Sequence, residues 1–215
     1  MATVAVLTSI GIIIVSFIGA FIFYYVVSPL SRVNKKQVIE EVISHLINFV
    51  IFVWVGKVLL HLPLFVRDPF AVLAYPSNSQ AFYVAFLFSA IHLSYKVIRR
   101  QFKIWSFWFA FVPIFLVASF IYEFIQIVWM DNTIAWPYLG LLLILLISLM
   151  VSLDRWPESI VIFILMIGWN VGKVILAFAL PFTTIFGYTM SLWFLVILLI
   201  VNITLFLYYR KRVTM

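Results

Sequence analysis

Lys57 and Lys173 each follow a glycine inside a long apolar run, and Glu123 stands between Tyr122 and Phe124 in another. An ionisable side chain in such a run faces a bundle interior or a wet cavity, because hydrocarbon offers a charge no partner. Two ammonium groups so placed could hold an anion, most naturally a lipid phosphate, from two helices. The alternative is that each stem snorkels to the headgroups and makes no site. Asn170, three residues before Lys173 and on the same helical face, tilts the reading towards a site. Glu123 could act as a base, or neutralise one lysine in a buried pair; the pair without chemistry is the simpler expectation. Arg67 could contact headgroups, whereas the Asp68-Pro69 that follows it is an ordinary turn opener.

The histidines point elsewhere. His45 and His92 fall toward one face and His61 toward the other. The first two could pair as haem or metal ligands, but no third ligand accompanies them. Polar helix–helix packing is therefore expected. The chain has no cysteine, which removes thiol relays, disulfides and thiolate metal sites. No HExxH, Gly-rich phosphate loop or nucleophile–base spacing is present either. No metal and no cofactor is expected.

These residues need elements to hold them, and composition says which. Of 215 residues 67% are hydrophobic and 10% charged. That is more apolar surface than a soluble domain can hide, so the chain reads as an all-α polytopic membrane protein. Runs long enough for ~30 Å of hydrocarbon, about 20 residues, fall at 4–27, 38–62, 80–98, 104–129, 134–153, 159–180 and 187–208. They make seven spans in a single transmembrane domain, 1–215.

The net charge of +7 could suggest nucleic acid, but its placement argues against that partner. Arg32, Lys35 and Lys36 form one cluster; Lys96, Arg99, Arg100 and Lys103 a second; Arg155 a third; Arg210, Lys211 and Arg212 a fourth. They occupy alternate loops, as the positive-inside rule requires, with anionic headgroups as counter-charge. The N-terminus is then outside and the C-terminus inside. No basic residue precedes Arg32 and no cleavage pattern follows, so the first run is expected to be a retained helix. Tyr24, Tyr25, Trp105, Trp129, Trp136, Trp156, Tyr208 and Tyr209 read as interfacial anchors, Pro113 as a kink, and Gly168 with Gly172 as a small-xxx-small packing face.

Residues 55–60 (VGKVLL) and 171–176 (VGKVIL) repeat one another. At ~1.5 Å per residue, Lys57 lies ~23 Å and Lys173 ~21 Å into a ~30 Å core counted from inside. Between the second and third spans, Leu64, Phe65, Val66, Phe70, Val72, Leu73 and Tyr75 mix with few charges. Irregular backbone cannot face hydrocarbon, so this loop, Pro76 included, is expected to lie along the outer surface as a roof.

The series Asn34-Lys35-Lys36-Gln37-Val38, Gly56-Lys57, Pro63, Asp68-Pro69 and Phe82-Tyr83 resembles prolipoprotein diacylglyceryl transferase. So does the closing run from Arg155-Trp156-Pro157 through Gly172-Lys173 to Tyr209-Arg210-Lys211. The resemblance implies a seven-span bacterial inner-membrane protein, phosphatidylglycerol as lipid, and a lipoprotein as possible partner. In that family arginine follows the glycine in spans two and six; here lysine keeps the charge and loses the planar fork. The family's histidine after the outer loop corresponds to Tyr83. Its signature arginine corresponds to Phe120 and its first asparagine to Glu123. Under an enzyme reading, Lys57 and Lys173 hold the phosphate, and Tyr83 or Glu123 moves the proton. The expectation is an anionic-phospholipid-binding protein of this architecture, with transfer chemistry lost or altered. The alternatives are an active lipid transferase with another catalytic set, and a small transporter or partner subunit of a membrane complex.

Overall fold

Seven helices among the described residues are long and apolar enough to cross a membrane, and their limits follow from local signals. The computed structural model describes residues 2–28, 30–69, 72, 78–99, 104–152 and 155–213. Helix α1 covers Ala2–Val27, α2 Arg32–Leu60, α3 Leu62–Arg67 and α4 Ser79–Ile98; α5 covers Ile104–Met130, α6 Ala135–Ser152 and α7 Glu158–Ala179. A hairpin of β1 (Thr183–Ile185) and β2 (Tyr188–Met190) follows, and then α8 (Leu192–Val213). The chain is thus a multi-pass, all-α membrane protein in its architecture, with exposed apolar residues such as Ile14, Ile18, Leu87, Ile91 and Ile147 on the helix surfaces.

The starts of two helices differ from the hydropathy reading. Helix α2 starts six residues before the apolar run, because Ser31 caps it by accepting the Asn34 N–H at 3.4 Å. A helix satisfies its own backbone, so its first turns can leave hydrocarbon and carry Arg32, Lys35 and Lys36. Lys36 there faces Glu40 one turn on, at 3.9 Å.

The last span was expected from 187, but residues 188–190 form the second hairpin strand. Phe186 (φ 48°) and Gly187 (φ 84°) both have positive φ, and Ile185 pairs with Tyr188 across them. A two-residue turn with positive φ at both positions matches the twist of an antiparallel pair. The β-branched Thr183, Thr184, Ile185 and Thr189 suit the strands around it.

Part of the expected roof is described. His61 closes α2 by donating its N–H to the Lys57 carbonyl at 3.0 Å. Pro63 opens α3 in its first turn, and Asp68 closes it with its N–H on the Leu64 carbonyl at 2.8 Å. Leu62 and Val66 are exposed and Val72 is buried. Phe70, Leu73, Tyr75 and Pro76 lie outside the described residues. So do Arg100 and Lys103 of the second basic cluster and the side chain of Arg212. Asn78 then caps α4, accepting the Ala81 N–H at 2.9 Å.

Contacts divide the chain into two units. One comprises residues 29–107, and the other residues 1–28 with 108–215. In the first, α2 and α4 pack antiparallel around Val53, Ala81 and Ala85, with Phe49 and Phe52 beside them. Gly56 permits the approach, since a Cβ there would stand 3.0 Å from the Ala81 carbonyl oxygen and 3.2 Å from the Val84 Cβ. Backbone cannot move aside as a side chain can. Gly56→Val should therefore lower stability by about 1–3 kcal/mol, measured by unfolding in detergent micelles.

In the second unit α7 packs between α6 and α8. A Cβ on Gly172 would run into the Leu141 side chain, and one on Gly168 would lie 3.1 Å from Leu145. The Gly168–Gly172 face is a helix-packing face. Helix α5 runs through Pro113. Of the expected interfacial anchors, Tyr25, Trp129, Trp136, Trp156 and Tyr208 are well exposed, whereas Tyr24 is buried within the unit's own packing.

The basic clusters give this fold an orientation that can be measured. Reporter fusions after Asn132 are expected to read outside and fusions after Arg100 inside. A cytoplasmic signal at Asn132 would reverse the arrangement.

Candidate functional site

Helix α7 supplies the site's cation, and the elements that bury it all belong to the same unit. Lys173 is 3% exposed and Glu123, on α5, 5% exposed. Both line a cavity of about 10 Å³ whose walls include Tyr122, Trp169, Thr184 and Phe186. That volume is about what one water molecule needs.

The ammonium of Lys173 does not snorkel. Its Nζ donates to the Thr184 carbonyl in β1 at 2.7 Å, and lies 4.0 Å from the centre of the Tyr138 ring. The Trp169 ring, one turn back on α7, is 5.9 Å away. Aromatic faces attract a cation, and more so where water is excluded. Tyr138, 1% exposed, also donates its hydroxyl to the Phe182 carbonyl at 2.7 Å. Two side chains from α6 and α7 thus hold the entry to the hairpin by its backbone.

The tip of the hairpin is held by aromatic packing. Phe186 meets Phe17 of α1 at 5.2 Å, and Phe115 and Tyr122 of α5 at 5.8 and 5.4 Å. Gly187 lies so close to Tyr122 that a Cβ would stand 3.0 Å from its hydroxyl oxygen. Its positive φ and this approach both require glycine. The hairpin closes the cavity at the end of the unit where α7 stops, which the charge rule places outside.

Glu123 is the counter-charge. It interacts electrostatically with Lys173, yet no direct ion pair joins them among the described residues. Lys173 has three donors and the Thr184 carbonyl as its hydrogen-bond acceptor. The Trp169 Nε1 is buried with no hydrogen-bond partner among the described residues. The cavity is therefore lined by one ammonium, which has donors to spare among the described residues, and by one carboxylate. It can take a water, pass a proton, or receive an anionic oxygen.

Asn170 is buried beside this arrangement. Its Nδ2 donates to the Met166 carbonyl at 2.8 Å, within its own helix, and its Oδ1 has no partner among the described residues. Lys57, Arg67 and Tyr83 belong to the other unit. Lys57 is buried, Arg67 is exposed at the end of α3, and Tyr83 is half-buried on α4. Of the residues singled out in the sequence, the structure brings Glu123 and Lys173 to one cavity. Sequence reasoning missed Tyr138, Trp169 and the hairpin. The hairpin alone carried a signal, as β-branched and aromatic residues flanking a two-residue Phe186-Gly187 step.

No family model, no curated protein and no solved structure matches this chain.

Proposed function

We propose that this multi-pass membrane protein binds the phosphate of an anionic phospholipid at Lys173, without the transfer chemistry of prolipoprotein diacylglyceryl transferase. One observation carries the reading: a buried ammonium with three donors and, among the described residues, a single hydrogen-bond acceptor, the Thr184 carbonyl. Leaving donors unmet at a buried charge is costly, and phosphate oxygens are the strongest acceptors a bilayer offers. The closed cavity has room for a water and not for a headgroup. Phosphate binding therefore requires the hairpin to yield its Thr184 bond, the lipid taking the place of the carbonyl. Phosphatidylglycerol in the outer leaflet of a bacterial plasma membrane fits the resemblance and the charge. Glu123 beside the site opposes a second negative charge, which favours a phosphodiester over a phosphomonoester. Lys57 and Arg67 supply further positive charge in the other unit, and Tyr83 stays the position at which the family's proton carrier would stand.

The water-sized cavity favours a second reading, a proton or ion pathway through Glu123 and Lys173. Native mass spectrometry of gently extracted protein separates the two. Phosphatidylglycerol should stay bound in preference to phosphatidylethanolamine, and Lys173→Gln should reduce its retention at least tenfold. Unselective lipid retention, together with a pH-gradient leak in proteoliposomes that Glu123→Gln abolishes, would favour the pathway.

A further inference from the structure

The unit formed by residues 29–107 holds a second constellation, on the facing sides of α2 and α4. His45 and His92 face each other with ring centroids 5.9 Å apart and planes tilted by 60°. The His45 Nδ1 lies 3.1 Å from the Glu41 carbonyl oxygen. A carbonyl only accepts, so Nδ1 carries the proton and Nε2 of the neutral ring is a lone-pair donor to a metal. The His92 Nε2 is buried and has no hydrogen-bond partner among the described residues. Ser89, one turn earlier on the same side of α4, also has a buried hydroxyl oxygen without one.

Polar packing alone accounts poorly for this arrangement. A buried nitrogen left unmet costs about 1–3 kcal/mol, and an apolar residue in place of His92 would avoid that cost. Metal geometry accounts for it better. With metal–nitrogen bonds of about 2.0 Å, two imidazoles on opposite sides of one ion have centroids about 6 Å apart. A ligating histidine also typically donates its other ring N–H to a carbonyl, as His45 does to Glu41.

We propose that His45 and His92 form a two-imidazole site for copper(I). The choice of ion follows from what surrounds it. No group of three or more His, Cys, Asp or Glu able to hold a metal exists among the described residues. A divalent ion would therefore lack both its remaining ligands and its counter-charge. Copper(I) is monovalent, accepts two nitrogen ligands in line, and suits imidazole. Phe107 meets His45 at 4.7 Å with the rings tilted by 47°, and Phe52 meets the edge of His92 at 6.0 Å. This apolar casing disfavours water as a further ligand and so favours the lower oxidation state.

The test uses the full-length protein in detergent, titrated anaerobically with copper(I) against a chromophoric chelator, with zinc(II) in parallel. One equivalent of copper(I) should be withdrawn from the chelator, and the X-ray absorption edge should show a two-coordinate ion with nitrogen ligands. His92→Phe and His45→Gln should each weaken binding at least a hundredfold, the glutamine amide still able to donate to the Glu41 carbonyl. Unchanged thermal unfolding of the metal-free variants shows that the loss is not misfolding; if a variant unfolds, the edge spectrum of the wild type decides. Absence of withdrawal, copper(I) bound equally by both folded variants, or an edge showing oxygen or sulfur ligands would overturn the assignment. So would preferential zinc binding.

Discussion

Lys173→Met is expected to destabilise the protein by about 3–5 kcal/mol, because it strands the Glu123 carboxylate in a buried site without its counter-charge. The Thr184 carbonyl loses its donor at the same time, so the hairpin loosens as well. Glu123→Leu should cost less, since Lys173 keeps the Thr184 carbonyl and the Tyr138 face. The double variant Lys173→Met/Glu123→Leu should recover much of the loss, because an apolar pair of similar volume has no charge to bury. Unfolding in micelles gives the four corners of the cycle. Strictly additive losses would mean that the two charges do not depend on each other. A recovered double variant that still retains no phosphatidylglycerol would separate stability from binding.

In a cell depleted of prolipoprotein diacylglyceryl transferase, this protein is expected to restore no diacylglyceryl modification. Displacing a glycerol phosphate by a thiol needs charge stabilisation at the phosphate and a route for the thiol proton. Phe120, standing where the resembling family has arginine, offers neither charge nor donor. Tyr83, standing where it has histidine, replaces imidazole by a phenol, which is a weak substitute in proton transfer. On the proposed reading Lys173 still attracts a phosphate as a point charge, and binding would outlive catalysis. Mass spectrometry of a reporter lipoprotein gives the readout. Modified reporter that disappears with Glu123→Ala would instead assign Glu123 to a different catalytic set.

The seven spans were legible because a bilayer demands length and apolarity together, and five of the helices begin and end within about two residues of the hydropathy limits. The start of α2 was not, since hydropathy measures the depth of a helix in hydrocarbon and α2 continues beyond it. The start of α8 was misplaced because the short strand Tyr188–Met190 adjoins the apolar run with no charged residue to mark the boundary. Glu123 and Lys173 were legible as charges held inside the protein because a charge inside an apolar run seldom faces hydrocarbon. Tyr138 and Trp169 were not. Among 23 Phe, 10 Tyr and 8 Trp, no sequence signal separates an aromatic facing a cation from one facing lipid. The Gly-Lys repeat reads in the structure as one local device used twice. Gly56 and Gly172 each admit a neighbouring helix, and the lysine that follows is buried.

The most direct test is a structure of the protein in nanodiscs containing phosphatidylglycerol. A phosphate oxygen is expected about 2.7–2.9 Å from the Lys173 Nζ, with the Lys173–Thr184 bond broken and the 183–190 hairpin displaced. A lipid-saturated structure in which that bond persists, with the cavity still water-sized and no phosphate at Lys173, would contradict the expectation.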